Sequence, residues 1–143
     1  MTETVAVAAD HGGYDLKSVL LPELRALGFA VLDLGTDGGD SVDYPHFANA
    51  LAEALTTGKA ERGLLICGTG IGMSIAVNRH RAIRCALAHD VTTARLARQH
   101  NDANVLALGG RIIGVEAAKD CLRAFFTTAF EGGRHARRVA VLS

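Results

Sequence analysis

The fold is decided by Gly63-Leu64-Leu65-Ile66-Cys67-Gly68-Thr69-Gly70-Ile71-Gly72, an apolar run that leads into a glycine-rich turn. Similar runs of Val, Ile, Leu and Ala lie on either side of it, at residues 4–9, 29–34, 83–87 and 104–108. They do not alternate apolar with polar residues, which is typical of strands that are buried on both faces. The pattern therefore predicts five strands of a parallel sheet.

The segments between these strands have the spacing of amphipathic helices. Apolar residues recur three and four positions apart in segments 16–27, 47–55 and 118–126, so each helix presents one apolar face. Pro22 predicts a kink in the first helix. Strands that alternate with helices predict an α/β fold, a Rossmann-like three-layer αβα sandwich whose five-stranded parallel sheet has the order 2-1-3-4-5. A length of 143 residues suits a single domain over residues 1–143.

The composition excludes several classes of protein. Lys+Arg and Asp+Glu both number 15, and 49% of the residues are hydrophobic, which fits neither a disordered chain nor a nucleic-acid binder that relies on net charge. The first residues carry no basic leader, and no apolar run reaches the ~20 residues of a membrane helix. Three cysteines without a C-x-x-C pair favour reduced thiols. We expect a cytoplasmic protein with no nucleic-acid or membrane partner.

Two unrelated motifs are predicted to meet at one crevice. In such a sheet, ligands bind at the carboxyl ends of the strands where the strand order reverses, here between strands 1 and 3. Strand 1 ends in Asp10-His11-Gly12-Gly13, and strand 3 ends in the turn at residues 67–72. The amides of that turn favour an anion, and a thiol such as Cys67 beside a helix N-terminus is available as thiolate near neutral pH. The alternative is a plain tight turn, because glycine also serves positive φ and close packing.

Outside that crevice, the polar residues have weaker support as members of a functional site. The cluster Arg134-His135-Ala136-Arg137-Arg138 could close over a phosphate as a mobile tail, although charge runs are usually solvated surface. His100, at a predicted helix end, is either a cap or a proton-transfer group. The spacing of histidines and carboxylates predicts no metal site. Cys85 and Cys121 lie in apolar segments and are predicted to be buried, while His46, His80 and His89 receive no role.

Taken together, the motifs resemble those of the type B ribose-5-phosphate isomerases, of the family that also holds galactose-6-phosphate isomerase subunits. The resemblance covers nearly the whole chain. It rests on residues 10–13, on Asp43-Tyr44-Pro45-His46, on residues 67–72, on residues 98–106, and on Glu131-Gly132-Gly133-Arg134-His135 with Arg138.

The resemblance implies a role for each of these motifs. Cys67 matches the residue that accepts the proton, and His100, with Asp10, matches the group that opens the sugar ring. The turn matches the contacts that hold the enediolate, at Gly68, Thr69, Gly70, Ile71 and Gly72, with Thr69 as an added hydroxyl donor. Other sugar and phosphate contacts are expected at Asp10, His11, Tyr44, Asn101, Arg111, Arg134 and Arg138. The implied activity is aldose–ketose isomerisation of a small phosphorylated sugar, without a cofactor or metal.

Topology adds an expectation about assembly. His100 and Asn101 follow the fourth helix, and Arg134 and Arg138 follow the fifth, so both pairs should emerge at the amino-terminal edge of the sheet, away from Cys67. We therefore expect a homodimer or tetramer whose active sites are shared between subunits, with Arg111 able to come from the chain that holds Cys67. Two alternatives stay open, an isomerase of a six-carbon 6-phosphate or a four-carbon sugar phosphate, and a non-catalytic sugar-phosphate or mononucleotide-binding module.

Overall fold

Five short strands form one sheet in the computed structural model, which describes residues 2–142. Every neighbouring pair of strands is parallel. The strands are β1 (Thr4–Ala9), β2 (Ala30–Asp33), β3 (Arg62–Cys67), β4 (Cys85–Leu87) and β5 (Val105–Gly109). The five predicted strands are therefore confirmed, with small shifts at their ends.

The strand order is β2-β1-β3-β5-β4, so the predicted order 2-1-3-4-5 is wrong in its last two places. β5 is buried along its whole length, whereas β4 has three residues and its Leu87 is 39% exposed. A strand that is buried throughout suits the interior of a sheet, and a short, partly exposed strand suits its edge. The reversal of order between β1 and β3 is unaffected.

Helices cover both faces of the sheet, as the predicted αβα sandwich requires. The helices are α1 (Tyr14–Ala26), α2 (Tyr44–Thr56), α3 (Ile71–Val77), α4 (Val91–Asn101), α5 (Val115–Thr127) and α6 (Arg134–Val141). Helices α1, α4 and α5 share one apolar core with the sheet, and α2 and α3 share the other. Helix α1 continues through Pro22 to Ala26. Among residues 2–142, no helix combines the length and apolar character needed to cross a bilayer.

Candidate active site

Three glycine-containing turns pack backbone against backbone at the carboxyl edge of the sheet. They follow β1, β3 and β5. A Cβ atom on Gly110 would lie 2.5 Å from the Gly12 carbonyl oxygen, and one on Gly109 would lie 2.6 Å from the carbonyl carbon of Thr69. A Cβ on Gly12 would lie 3.0 Å from the Gly68 nitrogen. These glycines are required because any side chain would separate the turns, so the predicted convergence of the first two motifs is present, with the β5 turn as a third wall.

Cys67 ends β3 inside this group of turns. It is 5% exposed, and its Sγ accepts a hydrogen bond from the Gly70 N–H at 3.2 Å. The Ile71 N–H donates to Thr69 Oγ1 at 3.2 Å, which leaves the hydroxyl hydrogen of that exposed residue free to donate. Within residues 2–142, the N–H groups of Gly68 and Thr69 have no hydrogen-bond acceptor. The sulfur therefore lies next to two free backbone donors.

Asp10 and His11 follow β1 beside the end of β3, because Ala9 pairs with Ile66. Asp10 is 7% exposed, and its Oδ1 accepts the N–H groups of Gly12 at 2.9 Å and Gly13 at 3.2 Å. His11 Nδ1 accepts the N–H of Val42 at 3.1 Å. Because that nitrogen is an acceptor, a neutral His11 carries its proton on Nε2, which is then a donor for an anionic or hydroxyl group.

Two side chains from other elements lie against the β3–α3 turn. Arg111 is exposed, and a Cβ on Gly68 would lie 3.4 Å from its Cδ and 3.5 Å from its guanidinium carbon. A Cβ on Gly72 would lie 2.7 Å from the ring of Tyr44, the first residue of α2. Arg111 therefore brings a positive charge to the turn from the same chain as Cys67.

The opposite edge of the sheet carries a second group of polar residues. The rings of His100 and His135 stack with their centroids 4.3 Å apart, and Glu131 Oε1 lies 3.9 Å from His100 Nε2 and 3.7 Å from His135 Nε2. His135 is 7% exposed, and its Nε2 is buried without a hydrogen-bond partner. Burial lowers the pKa of His135, and the nearby His100 and Arg134 lower it further. Sequence reasoning gave His135 no role of its own; only its place beside Arg134 pointed to it.

The chain does not bring this second group to Cys67. Asn101 ends α4 before β5 begins, and β5 pairs Val105 with Gly63 and Gly109 with Cys67. Four residues of strand, about 13 Å, separate the two edges. The basic segment is also not a tail, because residues 134–141 form α6, which packs on α4. Arg134 and Arg138 are exposed on it, and Arg138 lines a cavity of about 310 Å³ with His100 and Asn101.

His100, Glu131 and His135 lie close enough to suggest a metal ion, with one ligand atom from each within 4.8 Å of the others. Their geometry does not favour chelation. The two imidazole rings are within 14° of parallel, so their in-plane lone pairs point alongside each other instead of converging on one point. The ring geometry therefore gives no support for a metal centre at this cluster.

The remaining cysteines and His89 have structural surroundings. Cys121 is fully buried, as predicted, and burial raises the pKa of its thiol. Cys85 is partly buried, and burial raises the pKa of its thiol to about 12. His89 Nε2 accepts the Gly109 N–H at 2.9 Å, which ties the end of β4 to the β5 turn. The predicted strand order already placed β4 beside β5, but no local pattern marks which side chain accepts the Gly109 N–H.

Known proteins resemble this chain over almost its full length. A family model described as Ribose/Galactose Isomerase matches residues 5–142. Ribose-5-phosphate isomerase B of Escherichia coli is 42% identical over 97% of this chain and 93% of its own. D-erythrulose-4-phosphate isomerase of Pectobacterium atrosepticum is 43% identical over 95% of this chain and 90% of its own. The solved structure of ribose-5-phosphate isomerase B from Clostridium thermocellum superposes with a TM-score of 0.95, at 45% identity over 97% of this chain and 94% of that one.

Each of these matches spans the turns at both edges of the sheet. The match to the family model, over residues 5–142, alone covers far more than half of the 143 residues. The chain therefore belongs to the ribose/galactose isomerase family and is an aldose–ketose isomerase.

Proposed function

We propose that the chain interconverts D-ribose 5-phosphate and D-ribulose 5-phosphate through an enediolate, with Cys67 as the base. The observation that carries this proposal is the Cys67 sulfur, which lies at the carboxyl edge of the sheet among free backbone donors. A thiolate held there suits removal of a proton from C2 of an aldose. The five-carbon substrate is supported by the similarity to the Escherichia coli protein named ribose-5-phosphate isomerase B.

The reaction begins with ring opening. A sugar phosphate that can close a ring is mostly cyclic, so the C1 hydroxyl must lose its proton while the C1–O4 bond breaks and the ring oxygen O4 gains a proton. We assign this step to His100 with Asp10. The Asp10 carboxylate is held in one orientation by two backbone amides, which leaves Oδ2 available to a hydroxyl group. His100 is partly exposed, and an imidazole can both accept and donate a proton.

Proton abstraction leaves negative charge on the sugar oxygens. The N–H groups of Gly68 and Thr69, with the Thr69 hydroxyl, are the donors that we assign to the enediolate, and Gly70 and Gly72 keep the turn close to Tyr44 and β5. Fixed donors of this kind are worth about 3 kcal/mol each in the transition state. Transfer of the O2 proton to O1 and redelivery of the carbon proton at C1 complete the isomerisation without a cofactor.

The substrate phosphate needs cations and donors. We assign it to His11 and Arg111 on the Cys67 side of the sheet and to Arg134 and Arg138 on α6. Arginine binds phosphate oxygens through two parallel hydrogen bonds, and a neutral His11 donates through Nε2. Asn101 completes the set as a sugar contact.

A second copy of the chain is needed to assemble these groups. In one chain, about 13 Å of strand separates Cys67 from the edge that carries His100, Asn101, Arg134 and Arg138. A two-fold axis would place the amino edge of one subunit over the carboxyl edge of its neighbour, and both sites would form together. We therefore propose a homodimer, or a tetramer built from such dimers.

Mixed dimers test this sharing of residues. Cys67→Ala and His100→Ala chains, each inactive alone, are combined under conditions that exchange subunits. Random pairing makes half of the dimers mixed, and each mixed dimer holds one intact site, so about a quarter of wild-type activity should return. No recovery after verified exchange would contradict shared sites, as would a fully active monomer.

A second candidate substrate has a specific observation in its favour. The Pectobacterium atrosepticum relative, equally similar, is named D-erythrulose-4-phosphate isomerase. Both reactions move a proton between C2 and C1, and the substrates differ in the distance from C2 to the phosphate. Only the pentose needs ring opening, because O4 of a tetrose 4-phosphate carries the phosphate and cannot close a ring. The deciding experiment compares kcat/KM for tetrose 4-phosphates, pentose 5-phosphates and hexose 6-phosphates, with Cys67→Ala as the control for contaminating isomerase. A larger kcat/KM for a four- or six-carbon substrate would replace the ribose 5-phosphate proposal.

A further inference from the structure

Lys17 is a buried cation for which the proposed reaction has no use. It lies in α1 and is 2% exposed. Its Nζ donates to Asp33 Oδ1 at 2.7 Å and to the backbone carbonyl of Thr36 at 2.7 Å. Asp33 ends β2, and Thr36 lies in the β2–α2 loop, residues 34–43. One ammonium group therefore joins the first helix, the end of a strand and a loop.

That loop lies directly against the candidate active site. The Ala9 N–H donates to the Gly35 carbonyl at 2.8 Å, and the Thr36 N–H donates to the Ala9 carbonyl at 2.7 Å, so the loop stays paired with β1 up to the residue before Asp10. Farther along, the Val42 N–H donates to His11 Nδ1 at 3.1 Å. This last hydrogen bond fixes which nitrogen of a neutral His11 carries the proton.

A lysine at this position is an unusual choice if the position serves only stability. Burying an ammonium group costs desolvation free energy, and an apolar side chain of similar length fills the same space without that cost. What an apolar side chain cannot do is hold the Thr36 carbonyl at a fixed place. Asp33 Oδ1 strengthens the same arrangement, because it also accepts the Gly35 N–H at 3.0 Å.

We infer that Lys17 is a positioning residue for the phosphate end of the substrate. It holds the β2–α2 loop against β1, and the loop, through the Val42 N–H, orients His11 with Nε2–H toward the crevice. The effect on substrate phosphate binding rests on the proposed function, whereas the position of the loop and the tautomer of His11 do not.

Lys17→Met tests the inference, because methionine keeps the length and removes the donors. The exchange of backbone amide hydrogens should become about tenfold faster at Thr36 and Val42 and stay unchanged in β3 and β5. The His11 ring should lose its single tautomer, which nitrogen chemical shifts report directly. With ribose 5-phosphate, KM should rise about tenfold and kcat should stay within about threefold, because His11 contacts the phosphate and not C2.

Lys119→Met is the matched control. Lys119 also links α1 to another element, through Glu23 Oε1 at 3.3 Å, but it lies on α5 and contacts no part of the loop. It should leave the exchange at Val42, the His11 tautomer and KM unchanged. If the Lys17→Met chain does not fold, Asp33→Asn serves instead. It removes the negative charge that pairs with Lys17 but keeps an oxygen that accepts from Lys17 Nζ and the Gly35 N–H. The changes in amide exchange, His11 tautomer and KM should then have the same direction and be smaller.

Three results would overturn the inference. The first is an unchanged His11 tautomer and unchanged Val42 exchange in a folded Lys17→Met chain. The second is uniformly faster exchange across β3 and β5, which would mean that Lys17 serves only global stability. The third is a loss of kcat at constant KM. A chain that isomerises no sugar phosphate but still shows the local change at Val42 and His11 would refute the proposed function alone, and binding of inorganic phosphate then replaces KM as the measure.

Discussion

The two edges of the sheet differ in whether backbone or side chains form them. The carboxyl edge is made of backbone: glycines bring the turns after β1, β3 and β5 into contact, and the Asp10 carboxylate is held by amides of its own turn. The amino edge is made of side chains, and there the buried His135 Nε2 has no hydrogen-bond partner. An edge formed by packed backbone is rigid by itself. An edge of charged side chains, in which the His135 Nε2 lacks a hydrogen-bond partner, is suited to a ligand. The proposed site would therefore combine one preformed half with one half that is completed on binding.

The largest effect should come from the proposed base of the rigid edge, Cys67. Cys67→Ala is expected to lower kcat for ribose 5-phosphate by about 10³-fold, because the proposed base for the C2 proton is lost. Binding of inorganic phosphate should be unchanged, since the phosphate contacts lie elsewhere. The measurement is the rate of ribulose 5-phosphate formation in a variant whose thermal unfolding matches wild type. A loss smaller than tenfold would contradict the assignment of Cys67 as the base.

The next test concerns the rigidity of the same edge. In Gly109→Ala the new Cβ would lie 2.6 Å from the carbonyl group of Thr69, and backbone atoms cannot rotate away as a side chain can. We expect a loss of about 2–3 kcal/mol in the free energy of unfolding, and a lower kcat because the turn is displaced.

Gly39→Ala is the control for that substitution. Nothing lies within 4 Å of its Cβ position, so stability should change by less than about 0.5 kcal/mol. Equal urea midpoints for the two variants would mean that the turns have room to separate, and the description of this edge as rigid would be wrong.

The same contrast explains how far sequence reasoning reached. The strands and the first two turns could be predicted, because apolar runs and the glycines that follow them are local patterns. The order of β4 and β5 was wrong, because the last strands were placed in chain order and the fourth strand was predicted at residues 83–87, longer than the three-residue β4. Gly109 as a wall of the site was missed for the same reason, because its contact with Thr69 depends on β5 lying beside β3. His89 was missed because no local pattern marks its hydrogen bond with the Gly109 N–H. His135 was missed because stacking on His100 requires α6, and the basic segment was predicted to be a tail.

The next prediction concerns charge on the amino edge. Arg138 lines the cavity that holds His100 and Asn101, whereas Arg137, on the same helix, does not. Arg138→Ala should raise KM for ribose 5-phosphate about tenfold, because a hydrogen bond from a charged donor to phosphate is lost, and should leave thermal stability unchanged because the side chain is exposed. Arg137→Ala has the same change in net charge and should leave KM within about twofold. Equal effects of the two variants would mean that α6 acts only through its overall charge.

The smallest expected effect is the pH dependence of stability that comes from His135. Burial, with the nearby His100 and Arg134, lowers the pKa of His135 below the usual 6.5 in the folded chain. Between that lowered pKa and 6.5 the unfolded chain binds more protons than the folded one, so folding stability should be fully present above pH 6.5 and decrease as the pH falls below it. His135→Gln should show a shallower decrease in the urea midpoint over this range, and the exposed His46→Gln should not. Inorganic phosphate should also make the wild-type decrease shallower, because an anion at the unpartnered Nε2 favours protonated His135. A wild-type slope that neither phosphate nor His135→Gln alters would mean that the buried imidazole is only a packing element, and the amino edge would then lose its character as the half of the site that awaits a ligand.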